Sequence, residues 1–216
     1  MVIWTSRSNA PLVVDRVLLA TRSSGKLREL RPLFAEYDIA VIDLADACVQ
    51  ERPEEDTLEM YETFEDNARA KARYFVRRAK MPVVADDSGL VVPALGGAPG
   101  VMSKRWAGVP DLRGQALDDE NNRLLLERLR GVDDRRASYV CVAVFMGGNR
   151  EVIARGEVHG RIIDEPRGSG GFGYDPYFLS DELGRTFGEV PLEEKQRVSH
   201  RARAFRALLN ALHDAS

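Results

Sequence analysis

Cysteine and histidine are scarce, at two and three residues in a chain of 216. Cys48 and Cys141 stand too far apart for metal-ligand spacing, so neither a disulfide framework nor a zinc site is indicated. Both fall in apolar stretches and read as reduced core residues of a cytoplasmic protein. No Ser–His–Asp order or Cys–His pair is organised for covalent catalysis, which leaves water as the expected nucleophile of any hydrolysis. Nor is there an apolar run of roughly 18 residues, the length a membrane-spanning helix needs. The formal net charge of −3 gives no general attraction to nucleic acid or to an anionic membrane, so neither is an expected partner. Internal repeats, low-complexity tracts and clear linkers are also missing.

What remains is a globular composition, 44% hydrophobic and 30% charged, on a chain long enough for a sizeable core. Residues 1–15 carry one short apolar cluster, Pro11 to Val14, and read as a frayed N-terminal extension or a misplaced start. Residues 16–216 read as a single domain. Arg16–Thr21 has the pattern of a buried strand, and Lys26–Glu36 places Leu27, Leu30, Leu33 and Phe34 at helical spacing. Between them, the small-residue loop Arg22–Gly25 would expose backbone N–H groups at a helix N-terminus, where phosphate binds well. A short strand at Ile39–Leu44 precedes an irregular acidic stretch, Glu51–Glu62. Thr63 can cap a helix over Phe64–Lys80, with Asp66 completing a capping-box-like pattern. Val83–Ala85 reads as a strand that ends in Asp86-Asp87-Ser88-Gly89, and Leu95–Gly100 as a turn. Leu117–Leu129 is an amphipathic helix. Ala137–Met146 and Glu151–Ile163 read as strands that Gly147-Gly148-Asn149 can join as a hairpin. One closing helix is expected over Glu193–His213. Strands alternating with helices, plus a hairpin, indicate an α/β protein with a mixed sheet.

Several groups of residues could carry chemistry. In Gly168–Pro176, four glycines frame Phe172, Tyr174 and Asp175, so two aromatic faces and one carboxylate share a loop. That combination suits a flat, polar-edged ligand such as a nucleobase, or equally a tight turn whose aromatics pack. Asp86 and Asp87 are adjacent and point to opposite sides of a strand, so they would have separate tasks. One could activate water or hold a hard cation, unless both simply form a turn. Lys26 and Lys71 are candidate phosphate partners or solvated lysines, and the P-loop pattern is absent. His200 with Arg201 could donate hydrogen bonds to a carbonyl-rich base edge, or be packed.

Four ordered blocks resemble the inosine triphosphate pyrophosphatase family. They are Leu18–Thr21 with Gly25–Leu30; Thr63–Ala68 with Lys71-Ala72; Ala85–Leu90 through Gly96–Val101; and Gly170–Pro176 through Glu194-Lys195 to Ser199-His200-Arg201. The resemblance implies hydrolysis of ITP, dITP, XTP and dXTP to the monophosphate and pyrophosphate, with Mg²⁺ and as a homodimer. It also implies an elongated mixed sheet flanked by helices, in two lobes around a central nucleotide cleft. Carried over by position, Thr21, Arg22, Ser23, Ser24, Gly25 and Lys26 form a phosphate loop, with Lys71 a further phosphate contact. Asp87 is the catalytic base and a metal ligand, and Ser88 a substrate contact. Phe172, Gly173, Tyr174, Asp175, Lys195, His200 and Arg201 match the substrate-binding residues at the base end. Counting back from Phe64 puts Glu59 at the second acidic metal ligand, with Glu55 and Glu62 as rivals. The first loop departs from the family's Thr-Gly-Asn-x-Gly-Lys in having Arg22 and Ser23. A Maf-like pyrophosphatase acting on modified pyrimidine nucleotides is the alternative enzyme, and a nucleotide-binding module without turnover the alternative outside enzymes.

Overall fold

The computed structural model describes residues 2–6 and 14–214. The chain forms two compact units. The first comprises Met1–Asp87, Cys141–Gly156 and His200–Ser216, the second Ser88–Val140 and Glu157–Ser199. The strands are β1 (Val2–Ser6), β2 (Arg16–Leu19), β3 (Ala40–Ile42), β4 (Val83–Val91), β5 (Arg136–Gly147), β6 (Arg150–Ile162) and β7 (Phe178–Ser180). Their order in the sheet is β1-β6-β5-β4-β2-β3, with β7 beside β6. β2 runs parallel to β3 and β4, whereas β1 and β7 pair antiparallel with β6, so the sheet is mixed as expected. The helices are α1 (Ser24–Ala35), α2 (Phe64–Ala79), α3 (Gly114–Arg128), α4 (Leu192–Val198) and α5 (His200–His213). Among the described residues no helix is long and apolar enough to cross a membrane.

In the first unit, strand alternation sorts the core into two faces. Val17, Leu19, Val84, Cys141, Ala143 and Phe145 pack with Leu30, Leu33 and Phe34 of α1 and Phe205, Leu208 and Leu209 of α5. Leu18, Ala20, Val83, Ala85, Val142 and Val144 pack on the other side with Ala68, Ala72 and Phe75 of α2. In the second unit the core gathers Leu90, Leu125, Leu129, Val158, Ile162 and Tyr174 around Tyr139, Phe178 and Phe187. The rings of this aromatic trio lie 4.8 to 6.0 Å apart.

Four sequence expectations are corrected. Asp86–Gly89 is not a turn: it continues β4 to Val91, because tertiary partners satisfy carboxylates whose local preference is a turn. The closing helix is two helices, broken at Ser199, whose backbone is extended (φ −64°, ψ 148°). The apolar period runs through that break, so periodicity does not show it. Cys48 is exposed at φ +52° rather than packed, while Cys141 is buried. Residues 2–6 of the expected extension form β1, and residues 7–13 lie outside the described residues.

Candidate active site

In the first unit the loop before α1 is organised by its hydroxyls. The Ser23 N–H donates to Thr21 Oγ1 at 3.1 Å, and the Lys26 N–H donates to Ser23 Oγ at 3.3 Å. Ser23 is thereby the N-cap, a role serine fills as well as the family's asparagine. Ser24 and Gly25 then begin the first turn, where free N–H groups and the helix dipole favour an anion. Arg22 is turned elsewhere, into a two-pronged pair with Glu55 at 2.7 and 2.9 Å. Arg78 reaches the same carboxylate at 3.1 Å, so Glu55 is fully engaged.

Alternation along β4 directs Asp86 toward α1 and α5. Lys26 Nζ donates to Asp86 Oδ2 at 2.8 Å, Arg201 Nε lies 3.6 Å from the same oxygen, and Arg201 also pairs with Glu29. Asp86 and Arg201 are 1% and 4% exposed, so these charges compensate one another without water. Burial alone would push the Asp86 carboxyl up. Lys26, Arg201 and Lys71 outweigh it and hold that carboxyl well below the usual carboxylate range. Arg201, expected at the base end, is therefore joined to Asp86 and Glu29 in the first unit. His200 is buried beside it at the start of α5, where its backbone packs so closely on β6 that any side chain at Gly156 would strike it.

Asp87 faces the other way, toward α2. Asn67, fully buried, donates through Nδ2 to Asp87 Oδ2 at 2.9 Å and to the Tyr61 carbonyl at 3.3 Å, and accepts the Tyr61 N–H at 2.8 Å. Lys71, one turn on, donates to the Asp86 backbone carbonyl at 2.8 Å and forms an ion pair with Glu59. Burial and the charge of Glu59 push Asp87 up to about 6, against the pull of Lys71, Lys26 and Asn67. Burial would lower the Lys71 ammonium, but Glu59, Asp86 and Asp87 reverse this and raise it. Of the three rival acids, Glu59 is thus the one tied to Lys71 and felt by Asp87. Among the described residues no cluster of three or more His, Cys, Asp or Glu side chains forms a ready metal cage. A carboxyl raised by the charge of a second carboxylate nonetheless suits, together with it, a hard divalent cation that keeps much of its water.

In the second unit the Gly-rich segment folds on itself. A side chain at Gly171 would meet Asp175 Oδ2 at 2.0 Å, and one at Gly168 would meet the Gly188 carbonyl at 2.1 Å, so these glycines serve close approach of the chain to itself. Asp175, 2% exposed, accepts the Phe172 N–H at 2.9 Å and pairs with Lys195 at 2.6 Å. The Lys195 ammonium lies 5.2 Å from the centres of both the Phe172 and Phe187 rings, within cation–π range. Tyr174 is a core residue, 4% exposed, whose hydroxyl donates to the Ser103 carbonyl at 2.8 Å. The two aromatics expected to share a task therefore divide it: Tyr174 packs, and Phe172 stays half-buried beside Lys195. Ser88 is half-buried within β4.

Sequence reasoning missed Asn67 as the partner of Asp87, Asp86 as the partner of Lys26, and Glu29 as the partner of Arg201. Asn67 and Glu29 each stand inside one of the family-like blocks, but nothing local says which distant group they meet. It also missed Asp118 and Asn122 of α3, which hold Gly173.

Residues 17–211 match the Ham1 family. The dITP/XTP pyrophosphatase of Nitrosomonas europaea is 42% identical over 204 residues, 93% of this chain and 96% of that protein. The dITP/XTP pyrophosphatase of Thermus thermophilus is 45% identical over 203 residues, 92% of each chain. Among solved structures, the Ham1 protein of Staphylococcus aureus superposes with a TM-score of 0.79 at 34% identity, covering 93% of this chain and all of that one.

Proposed function

The chain belongs to the Ham1 family, and from that premise we propose that it hydrolyses deaminated purine nucleoside triphosphates (ITP, dITP, XTP and dXTP) to the monophosphate and pyrophosphate, clearing them from the nucleotide pool. The observation that carries this reading is the division of labour at β4. Asp86 is a fixed anion that orients Lys26, and Asp87 is a buried carboxylate poised at about 6 with Glu59 and Lys71 beside it. A carboxylate with that affinity for a proton can accept one from water near neutral pH.

In the proposed reaction a water oxygen attacks the α-phosphorus, the α–β bridging oxygen departs with pyrophosphate, and the water's proton passes to Asp87. Lys26, Lys71 and the first-turn N–H groups of α1 neutralise the phosphate oxygens and stabilise the departing pyrophosphate. Asp87 and Glu59 would hold Mg²⁺, which supplies further charge neutralisation on the phosphate oxygens. Phe172 offers the stacking face for the purine, and the Asp175–Lys195 pair fixes the loop that presents it. A 6-oxo base would accept a hydrogen bond where adenine presents an amino donor, so a site built of donors rejects ATP by leaving polar groups unpaired. Of the two donors implied by resemblance, His200 is also proposed as a substrate contact, and Arg201, buried with Glu29 and Asp86, is proposed to hold the Asp86 face in place. We further propose a homodimer acting in the cytoplasm.

Pyrophosphate release from ITP, XTP, GTP and ATP, with and without Mg²⁺, tests the reading. Fast turnover of ITP and XTP only with the metal is expected. Equal turnover of all four would overturn the selectivity. Preference for a modified pyrimidine triphosphate would favour a Maf-like enzyme, and tight ITP binding without release a binding module.

A further inference from the structure

The loop Phe172–Asp175 is tied down at every residue, and two of the ties come from a helix that no motif marked. Phe172 and Asp175 bond to one another through the Phe172 N–H, and the Tyr174 ring is fixed in the core. Gly173, between the two aromatics, is held entirely from α3. Its N–H donates to Asp118 Oδ2 at 2.8 Å, and its carbonyl accepts from Asn122 Nδ2 at 3.0 Å. Asp118 and Asn122 are four residues apart, hence stacked on one helical face, and they grip both polar groups of a single residue. Gly173 takes the left-handed conformation, φ +65°, which leaves those two groups free of regular secondary structure.

The grip is poorly explained by stability alone. Asn122 is 4% exposed, and its Oδ1 is buried without a hydrogen-bond partner among the described residues. A buried acceptor left unmet is unfavourable, so Asn122 holds the Gly173 carbonyl at the expense of its own amide oxygen. Burial and the neighbouring charges of Asp175 and Asp119 raise the Asp118 carboxyl, so that side chain is also held against an opposing field. Both residues keep a geometry at some expense, and the geometry they keep is that of the peptide linking Phe172 to Tyr174.

We propose that Asp118 and Asn122 are positioning residues that set how the Phe172–Asp175 loop discriminates among purine bases. The inference rests on the function proposed above. Releasing Gly173 lets the Phe172 ring and the Asp175–Lys195 pair drift, and small displacements of a positioned group are enough to lose selection.

The test is the ratio of kcat/KM for ITP to that for GTP, measured in competition within one preparation, because that ratio does not depend on the folded fraction. Asp118→Ala and Asn122→Ala should each narrow the wild-type preference by ~10-fold, chiefly through KM for ITP. Asp118→Asn, which keeps an acceptor for the Gly173 N–H, should recover the ratio lost in Asp118→Ala. The double variant should lose little more than the stronger single one, since both residues act on one peptide. An unchanged ratio in both alanine variants, with only a lower melting temperature, would overturn the proposal while leaving the function intact. A wild-type enzyme with no preference between ITP and GTP would remove the premise and the proposal together. Should Asp118→Ala fail to fold, Asn122→Ala decides the matter by the same ratio.

Discussion

On the face of β4 that packs against α1 and α5, Asp86 meets Lys26 and Arg201; on the face that packs against α2, Asp87 meets Asn67 and the charge of Glu59. The two side chains are chemically identical, adjacent and almost equally buried. One has cations that outweigh its burial and is held ionised, while for the other burial and the charge of Glu59 outweigh Lys71, Lys26 and Asn67 and push it up to about 6. The difference teaches that burial raises both carboxyls, and that the balance of charge buried with each decides whether the rise survives. On the proposed function, Asp86 organises, and Asp87 exchanges a proton or accepts a cation.

The largest effect should come from breaking the organised face. Asp86→Ala would remove the carboxylate that Lys26 and Arg201 share, and removing one partner of a buried pair costs about 3–5 kcal/mol. Urea unfolding should show the loss at pH 7. The sign with pH follows from the lowered carboxyl: the stability Asp86 contributes is complete above the ordinary range of an unfolded Asp, about 4, and drains away as the pH falls toward the folded value. The variant should therefore approach wild type in acid. A loss below about 1 kcal/mol at pH 7 would mean that water reaches the cluster and screens it.

The opposite sign is expected one residue on. Asp87 has a raised carboxyl, so the folded protein holds its proton more tightly than the unfolded chain does. Stability therefore falls as the pH rises from about 4 through about 6, and the deficit is complete above that. Asp87→Asn removes the charge while leaving the site's shape, and should stabilise the metal-free protein by up to about 3 kcal/mol at pH 7.5, with no gain at pH 4. Turnover should be abolished in the same variant. A destabilised Asp87→Asn protein would make Asp87 a structural residue like its neighbour, and the contrast would fail.

How much of this was legible in the sequence depends on how far apart the partners are. The cap at Thr63, the apolar face of α2 and the β5–β6 hairpin are local patterns, and the structure places them close to where the residues indicate. The opposite facing of Asp86 and Asp87 followed from strand alternation alone. Whether Asp86–Gly89 was strand or turn stayed open, because Lys26 and Arg201, which make a buried strand tolerable at Asp86, come from α1 and α5. The break at Ser199 was hidden by an apolar period that continues across it. Asp118 and Asn122 were invisible for the same reason as Asn67: a polar residue on a helix reads as solvated until the chain that meets it is known. Glu59 was singled out among three acids only by counting back from Phe64, and its ion pair with Lys71 joins it to a helix that no local pattern links to it.

The smallest effects compare the helices that serve the two faces. Thr63 caps α2, which carries Asn67 and Lys71 to the Asp87 side; Ser23 caps α1, which carries Lys26 to the Asp86 side. Thr63 Oγ1 both accepts the Asp66 N–H at 3.0 Å and donates to Asp66 Oδ2 at 2.7 Å, whereas Ser23 makes one long bond, 3.3 Å, to the Lys26 N–H. Thr63→Ala should therefore cost about 1 kcal/mol and Ser23→Ala about 0.5 kcal/mol in urea unfolding. Kinetics should separate them more clearly than stability does. Loosening α1 disturbs the first-turn amides and Lys26, groups proposed to neutralise the phosphates from substrate binding onward, so Ser23→Ala should act more on KM than on kcat. Loosening α2 disturbs the donor and the ammonium that surround Asp87, so Thr63→Ala should lower kcat. If both variants shifted the same parameter, the two faces of β4 would be one functional unit, and the separation of an organising aspartate from a reacting one would be lost.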